Sequence, residues 1–577
     1  MQALSTVQPL SGPSLQVSIT ASQAMTLIKK EGPSQMDVVT ATASVSDQDS
    51  TKDVSPATKD SHTSPADPTE AGLRLYDHGG MVLVPTPTSD PKDPLNLAVW
   101  HKCMIIFLVG SYSAFSVLGT SGLSAVYPSL IQAYPNESPA RISDLLTYPT
   151  LFMGIGNLFS MPLCVTVGRR PVFLFSLLML IVTGFWCAFS DSLGSHVAGR
   201  SFFSMAAGQS EALAPYIVEE VHFLHERSTK LSWFIGVQTV GTAAMFVATT
   251  YIVPSMGIKW WYLIITFVNV ALLLLSYLFV VETKYERVEA TDGAIVHLNF
   301  AEADDSRDSE SGAVRNGLRL RPDIHGPRTW QHDLRLFHFK PVWSETFTFY
   351  KDTFKSLAIP SILWLLLLNG AFLGIYVYQA STFAQVLMSP PYLFKFAYLG
   401  WVQLVQILDC VLLVPVLGYG TDLLAKVMCR WRKGVFQPEY RLISMSIPGI
   451  AAVIGCVIYG QAAAHPTQWS WMGVVAPYHL GYFAFLGANL VSITYAIDSF
   501  PRKAGPVLLV ICAGRGFISF GLSYSTVPLI SKTGYDGAMN IFAIISGVLA
   551  GIAVPMYFLG TRFRLWAMQR LWPKLNQ

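Results

Sequence analysis

The chain has 577 residues, of which 52% are hydrophobic and 13% are charged, and its formal net charge is +3. A soluble domain carries about 25% charged residues, so this composition excludes an ordinary soluble enzyme. The small net charge does not indicate nucleic acid as a partner. The seven cysteines lie far apart without a CxxC pair or metal-ligand spacing, which argues against a disulfide framework and against a zinc site.

Residues 1–95 are predicted to form a disordered cytosolic tail. The stretch from Ser46 to Pro68 consists mostly of Ser, Thr, Asp, Lys and Pro, and it cannot bury enough apolar surface to offset its chain entropy. The N-terminus lacks the continuous apolar run of a signal peptide, so the tail is expected to stay in the cytosol. It is either a plain spacer or a modified, regulatory segment.

Apolar runs long enough to cross a bilayer recur from Cys103 onward. Alternating β-barrel patterning does not occur, so the runs predict an all-α membrane protein with twelve transmembrane helices in two six-helix pseudo-repeats. The predicted halves are residues 96–285 and 356–565, with a cytosolic central loop at 286–355 and a short cytosolic C-terminus at 566–577. The predicted spans are 102–124, 146–167, 171–190, 196–218, 231–253, 260–281, 358–382, 396–418, 442–461, 471–493, 506–529 and 538–560.

Lys and Arg are concentrated in alternate loops, which predicts the orientation of the bundle. The basic loops carry pairs such as Arg169-Arg170, Arg430 with Arg432, and Arg502-Lys503. The positive-inside rule places these loops, both termini and the central loop in the cytosol. Asn136 begins an Asn-Glu-Ser sequon on the other side and is therefore a candidate glycosylation site.

Two loops at equivalent places in the halves carry similar motifs. One contains Gly168, Arg169 and Arg170, and the other contains Gly418 and Asp422 followed by Arg430. Two weakly repeated six-span halves are typical of secondary transporters. The basic loops are expected to pair with acids or helix C-termini nearby and to steady one state of the bundle, unless they act only as orientation signals.

Further motifs follow in order along the chain: Asp93-Pro94-Leu95-Asn96, Arg200 through Gly208, Glu211-Ala212, His225-Glu226-Arg227, Glu282-Thr283-Lys284-Tyr285, Pro390-Pro391-Tyr392, Gln437 through Arg441, and Tyr495 through Asp498. With the two loop motifs, they make residues 90–565 resemble a fungal member of the major facilitator superfamily, in its twelve-span drug/proton antiporter branch. The resemblance implies an alternating-access transporter and says little about substrate. Three departures occur. Val165 stands at the acidic position of the first loop motif, and Gly241-Thr242-Ala243-Ala244 replaces the antiporter motif of span five. Span eleven reads Gly514-Arg515-Gly516-Phe517, where the branch often has a stretch with Asn and Arg.

Ionisable residues inside the hydrocarbon region are costly, by roughly 2.5–3.5 kcal/mol on insertion scales, so each one requires a reason. Four such residues are predicted to take part in proton coupling: Glu211, Asp409, Arg200 and Arg515. The resemblance to the family supports this role for Arg200 and Glu211. Arg200 and Glu211 lie on nearly one helix face about three turns apart, although Arg200 also fits a side chain that reaches the membrane surface. Arg515, between two glycines, is the expected counter-charge of Asp409 or Glu211.

Amide and aromatic side chains are predicted to line a substrate cavity for a bulky, mostly apolar solute. The members are Asn369, Tyr376, Gln379, Gln403, Gln406, Tyr478 and Tyr482. Each of them also fits ordinary helix packing. His479 adjoins Tyr478 and titrates near physiological pH when unperturbed, but a single membrane histidine is more often a hydrogen-bonded packing residue.

The predicted function is a secondary active transporter that uses protons to export a small organic compound such as a drug, toxin or fungal secondary metabolite. The alternatives are proton-coupled uptake of a cationic nutrient such as a polyamine, and a sensor with a transporter fold. P-loop, HExxH and GxSxG motifs do not occur, so no catalytic residue, metal site or cofactor is predicted. The expected partners are the lipid bilayer, a small-molecule substrate and protons, with a functional monomer in the plasma membrane, or in a vacuolar or endosomal membrane.

Overall fold

The computed structural model describes residues 73–74, 76–77, 80–123, 130–131, 133–285, 297–298, 314–315, 318–319, 322–432 and 434–573. Most of the predicted tail and much of the predicted central loop lie outside these residues. The described part is predominantly helical, which confirms the predicted all-α membrane class. The described residues also contain seven strands of two or three residues: β1 (Leu73–Arg74), β2 (Tyr76–Asp77), β3 (Gly80–Val82), β4 (His297–Leu298), β5 (Val314–Arg315), β6 (Leu318–Arg319) and β7 (Val435–Phe436). Strand β1 pairs with β7, β3 pairs with both β2 and β4, and β5 pairs with β6.

The helices fall into two groups joined by a linker. The first group is α1 (Val99–Ser121), α2 (Pro139–Val167), α3 (Arg169–Ala188), α4 (Leu193–Ala207), α5 (Leu213–Glu220), α6 (Arg227–Met256) and α7 (Ile258–Phe279). The linker contains α8 (Pro322–His325), α9 (Trp330–Leu334) and α10 (Trp343–Leu357). The second group is α11 (Pro360–Met388), α12 (Phe396–Leu404), α13 (Gln406–Leu413), α14 (Gly420–Trp431), α15 (Ser446–Ala464), α16 (Met472–Ser499), α17 (Ala504–Gly551) and α18 (Ala553–Arg570). The range of α17 contains two helices joined at a kink, where Gly534 has a φ of +72°. The linker connects the two groups at one end of the bundle. We call this the 'linker end', and it is the end that is predicted to face the cytosol.

The number of membrane-crossing helices is close to the prediction. Ten helices in the described part are long and apolar enough to cross a membrane, and a bent pair, Pro528–Gly551 with Ala553–Arg570, makes eleven. The predicted span 196–218 does not form one long helix, since it is divided between α4 and α5. The count of twelve therefore stays a prediction that requires this divided segment to be the remaining crossing.

Local chemistry explains the break between α4 and α5. Gly208 approaches α2 so closely that a Cβ atom there would lie 2.3 Å from the Met153 carbonyl oxygen. Pro215 has no N–H and cannot donate to the Glu211 carbonyl four residues earlier. That carbonyl instead accepts a bond from the Cys512 thiol of α17, with Sγ and O 3.2 Å apart. Close packing and one proline thus turn the chain at Glu211.

The packed part of the chain begins earlier than the sequence indicates. Leu83 and Leu95 are buried, and the backbone N–H of Leu224 donates to the Val84 carbonyl at 2.8 Å. The Asp93 carboxylate accepts bonds from the backbone N–H groups of Leu95 and Thr88, both at 3.0 Å. The predicted tail boundary at residue 95 thus falls within a folded segment, because a capping aspartate and a few apolar residues suffice to fasten it.

The predicted central loop also contains helical structure. Helix α10 lies almost entirely inside the range 286–355 and buries Phe349, Asp352 and Ser356. Its Thr346 hydroxyl lies 2.7 Å from the Thr166 hydroxyl of α2. This helix was missed because its apolar residues are separated by polar ones and do not form a continuous run.

Candidate functional site

An ion pair between the buried Arg515 and the half-buried Glu211 joins the two halves of the bundle. Arg515 Nη2 of α17 lies 2.7 Å from Glu211 Oε1, which sits at the break between α4 and α5. Arg515 is 11 residues beyond the start of α17, or about 16 Å along the helix axis. Of the two partners proposed for Arg515 from the sequence, the structure therefore brings it to Glu211.

Arg515 has a further partner that the sequence did not indicate. Its Nη1 donates to Asn489 Oδ1 of α16 at 2.7 Å, and its guanidinium lies 5.7 Å from the centre of the Phe485 ring. The guanidinium of Arg515 therefore contacts Asn489 and Phe485 in the second half of the bundle and Glu211 in the first half. Asn489 carries no motif, so only the packing of α16 against α17 identifies it.

Asp409 pairs with a histidine instead of an arginine. Asp409 Oδ2 lies 2.9 Å from His479 Nδ1, and His479 Nε2 lies 3.0 Å from the Val402 carbonyl oxygen. Both side chains are buried. His479, interpreted from the sequence mainly as a packing residue, is therefore part of the same site as Asp409.

The contacts of this pair suit a shared proton. A carbonyl oxygen only accepts, so the contact of His479 Nε2 with Val402 is a hydrogen bond when Nε2 carries a hydrogen. The contact between Nδ1 and Asp409 Oδ2 is then a hydrogen bond when one of these two atoms holds a further proton. Both contacts are therefore satisfied together in a proton-loaded pair, as neutral acid with neutral histidine or as carboxylate with imidazolium.

Five of the predicted cavity residues form one cluster beside this pair. Tyr478 donates to Gln403 Oε1 at 3.0 Å, and the hydroxyls of Tyr376 and Tyr478 lie 3.3 Å apart. Gln406 Nε2 donates to the same Gln403 oxygen at 2.5 Å. The Tyr482 hydroxyl lies 3.3 Å from the Thr239 hydroxyl of α6, so the cluster also touches the first half.

Two predicted cavity residues lie apart from the cluster. Asn369 donates to the Leu365 carbonyl of its own helix at 3.0 Å. Gln379 is fully buried and packs against Gly481. A Cβ atom added to Gly481 would lie only 2.2 Å from Oε1 of Gln379. Neither amide atom of Gln379 has a hydrogen-bond partner among the described residues. The sequence pattern placed these residues on the right helices but could not give their rotation.

Arg200 occupies a third place, away from the Glu211 pair. It is 1% exposed and donates to the carbonyls of Thr120 and Leu145 at 2.7 and 2.9 Å and to the Tyr262 hydroxyl at 2.9 Å. It does not reach the membrane surface as a mobile side chain. The described contacts tie four elements of the first half together, and a part in proton coupling stays a prediction.

The first loop motif is fastened by acids from neighbouring helices. Gly168 has φ of +122°, and the Glu282 carboxylate accepts the backbone N–H groups of Arg169 and Arg170 at 2.9 and 3.2 Å. Glu282 thus caps α3, where Val165 supplies no acid. Burial raises the pKa of Glu282, and the N–H groups of Lys284 and Arg169 oppose that rise.

The side chains of the same motif also find partners. Arg169 Nη2 lies 2.7 Å from Glu220 Oε1 at the end of α5, and Arg170 donates to the Tyr277 carbonyl at 2.6 Å. Both arginines are buried. The expectation that the basic loop pairs with acids and helix C-termini is therefore confirmed for these contacts.

The second loop motif crosses from one half to the other. Asp422 Oδ2 accepts the backbone N–H and the hydroxyl of Thr229, both at 2.8 Å, and so caps α6 of the first half. Gly418 lies against the same helix, because a Cβ atom there would be 2.2 Å from Ser232 Oγ. The motif thus holds the halves together at the linker end.

A buried charge network extends this contact. Arg441 binds Asp422 at 2.9 Å and Asp498 at 2.5 Å, and it also donates to the Leu224 carbonyl of the first half at 3.1 Å. Arg227 binds Asp498 and, at 3.1 Å, Glu219. We call these five charged residues the linker-end network. Arg441 and Asp498 occur in motifs that suggested only the family, so their pairing was not predicted.

Asn136 is exposed in the segment between α1 and α2, as a glycosylation site requires, and its modification stays a prediction. Within the described residues, no group of three or more His, Cys, Asp or Glu side chains is arranged to hold a metal ion.

The family of the chain follows from its sequence and its fold. Residues 109–508 match the family described as Major Facilitator Superfamily, so the chain belongs to this superfamily of transporters. It is accordingly a multi-pass membrane protein.

The relatives are fungal transporters, and a solved structure shares the fold. The chain is 22% identical to an uncharacterized MFS-type transporter of Schizosaccharomyces pombe, over 87% of this chain and 91% of that one. It is 21% identical to the efflux pump radE of Floropilus chiversii, over 82% of this chain and 83% of that one. The proton:xylose symporter XylE superposes with a TM-score of 0.52 at 15% identity, covering 80% of this chain and 95% of that chain.

We expect Glu211 and Arg515 to stabilise each other. Replacing either residue by Gln leaves the charge of the other without its partner inside the bundle, which is destabilising. Replacing both residues leaves no unpaired charge. A double-mutant cycle by thermal denaturation in detergent should therefore give a coupling of about 1–3 kcal/mol. The exposed Glu137–Arg141 pair has the same 2.7 Å separation and should give about 0.2–1 kcal/mol. Equal coupling in the two cycles would contradict a special role for the buried pair.

Proposed function

We propose that this protein is a proton-coupled secondary transporter that exports a small organic compound. The observation that carries the proposal is the Asp409–His479 pair, whose two hydrogen bonds are satisfied together when the pair holds an exchangeable proton. A site of this kind can couple proton release to a change of shape, because neutral His479 keeps one N–H and the pair then loses its hydrogen bond either to Asp409 or to the Val402 carbonyl.

The solute site is proposed to be the cluster around Tyr376, Gln403, Gln406, Tyr478 and Tyr482. It offers aromatic surfaces with a few hydroxyl and amide groups, which suits a bulky apolar compound with one or two polar groups. Tyr478 is bonded to Gln403 and precedes His479 in the chain, so a solute that displaces this bond also disturbs the proton site. Export of drugs, toxins or secondary metabolites is supported by the fungal efflux pump among the relatives.

The linker-end network is proposed to hold the closed state of the cytosolic side. Its bonds from Arg441 to Leu224 and from Asp422 to Thr229 cross between the halves. In an alternating-access cycle these bonds must break when the solute site opens to the cytosol. The Glu211–Arg515 pair lies between the halves at greater depth and is proposed to separate in the same step.

Transport by the purified full-length protein in proteoliposomes, with an imposed pH gradient and a panel of fungal metabolites, tests the proposal. We expect accumulation of at least one compound against its gradient, which a protonophore abolishes. Flux without any dependence on the pH gradient would contradict proton coupling, and movement of solute in the same direction as protons would contradict export by exchange.

A further inference from the structure

Helix α10 presents an aromatic stripe that faces away from the bundle. Its buried residues Phe349, Asp352 and Ser356 are three or four apart and therefore share one face. The opposite stripe has the same spacing and is open, with exposed fractions of 63%, 77%, 74% and 42% for Trp343, Phe347, Phe354 and Leu357. A stripe of this kind is costly in water and requires an apolar partner.

The contacts of α10 place this stripe beside membrane-spanning helices. The Tyr350 hydroxyl donates to the Leu158 carbonyl of α2 at 2.7 Å. Leu158 lies nine residues before the end of α2 at Val167, which is about 13 Å into the helix from the linker end. Helix α10 therefore packs against the side of α2 at the linker end, next to the leaflet that is predicted to face the cytosol.

A cleft beside the stripe combines apolar walls with positive charge. Its volume is about 600 Å³, and it is lined by Phe347, Tyr350, Lys351, Phe354, Lys355 and Leu571, with Ala358. Lys351 is exposed and forms no ion pair within the described ranges. Lys355 donates to the Leu571 carbonyl at 2.7 Å.

The nearest acid neutralises these lysines only in part, through one long ion pair between Asp352 and Lys355. Asp352 points to the buried face, where it binds Lys503 at 2.7 Å and accepts a bond from the Trp572 indole at 2.9 Å. Its distance to Lys355 is 4.0 Å. Two cations at the edge of an aromatic surface are the combination that attracts anionic lipids to an interfacial helix.

We propose that this cleft binds a phospholipid with an anionic headgroup from the cytosolic leaflet. The acyl chains lie against Phe347 and Phe354, and the headgroup is held by Lys351 and Lys355. The bound lipid stabilises α10 where it contacts both halves, since Tyr350 binds α2 and Asp352 binds Lys503 at the start of α17. This site is separate from the proposed solute and proton sites.

Native mass spectrometry of the full-length protein titrated with phosphatidylserine or phosphatidylcholine tests the proposal. We expect tighter binding of phosphatidylserine to the unmodified protein. Lys351→Gln with Lys355→Gln should remove that preference, with about a fivefold loss of affinity for each lysine. Phe347→Ser with Phe354→Ser should weaken both lipids.

The matched control is Lys395→Gln, which removes an exposed lysine between α11 and α12 and should leave the preference unchanged. Thermal denaturation of each variant shows whether it is folded. Lys351→Gln alone changes an exposed side chain and is expected to preserve the fold, so it tests the preference even if replacing the half-buried Lys355 lowers stability. Equal binding of the two lipids by the unmodified protein would overturn the proposal. So would competition by soluble glycerophosphoserine as effective as by the lipid, because it would indicate a headgroup site without acyl contacts.

Discussion

Asp409→Asn is expected to abolish proton-driven accumulation of solute while sparing much of the exchange of one solute molecule for another. The asparagine amide can donate to His479 Nδ1, so it imitates the proposed proton-loaded form of the pair. It holds no exchangeable proton, however, and cannot respond to the gradient. Because the hydrogen bond is retained, stability should change by no more than about 1 kcal/mol.

The measurement is uptake into proteoliposomes with and without an imposed pH gradient, compared with counterflow of labelled solute at equal pH on both sides. Asp191→Asn, at an exposed position between α3 and α4, is the matched control and should behave like the unmodified protein. Full gradient-driven transport by Asp409→Asn would show that the coupling site is elsewhere. Loss of exchange as well would indicate that the carboxylate contacts the solute directly.

Arg441→Ala should cause a large loss of stability. It leaves Asp422 and Asp498 buried without the cation that binds both of them. Removing one partner from a buried charge network typically costs about 3–5 kcal/mol. Thermal denaturation of the purified protein in detergent should show this as a markedly lower midpoint.

Two further variants make the result specific. Arg441→Lys keeps the charge but cannot reproduce the forked hydrogen bonds, so its midpoint should fall between those of the unmodified protein and Arg441→Ala. Arg432→Ala removes an exposed arginine from the same loop and should change stability little. If Arg441→Ala and Arg432→Ala denature alike, the linker-end network does not stabilise the observed state.

The basic loops show how far the sequence was informative. Their Lys and Arg predict the orientation of the bundle from charge counting alone. The structure adds that Arg169, Arg227 and Arg441 are bound by acids on other helices. Counting charges cannot distinguish an arginine that only orients the bundle from one that also forms an ion pair. The partner can be far away in the chain, as Asp498 is 271 residues from Arg227.

For the proposed solute site, too, the sequence identified polar residues but not which of them face one another. The sequence singled out Tyr376, Gln403, Gln406, Tyr478 and Tyr482 because polar groups at helical spacing within apolar runs are rare. Their contacts with one another are observed, and their part in solute binding stays a prediction. Gln379 and Asn369 satisfied the same rule, yet they face other neighbours. Helix rotation depends on packing against helices that are distant in the sequence, and a single helix does not encode it.

By itself, the sequence determined the membrane class, the two halves and the positions of nearly all long helices. It could do so because the length and apolarity of a membrane-crossing segment are properties of consecutive residues. Only the tertiary structure decided that Arg515 meets Glu211, that Asp409 meets His479, and that the chain breaks beside Glu211. Close approach at small residues sets these contacts: Gly208 lies against Met153, and Gly516 lies against Gly154. Helix crossings of this kind depend on the shapes of both surfaces together, so the ion pairs that they bring within reach cannot be obtained from either helix alone.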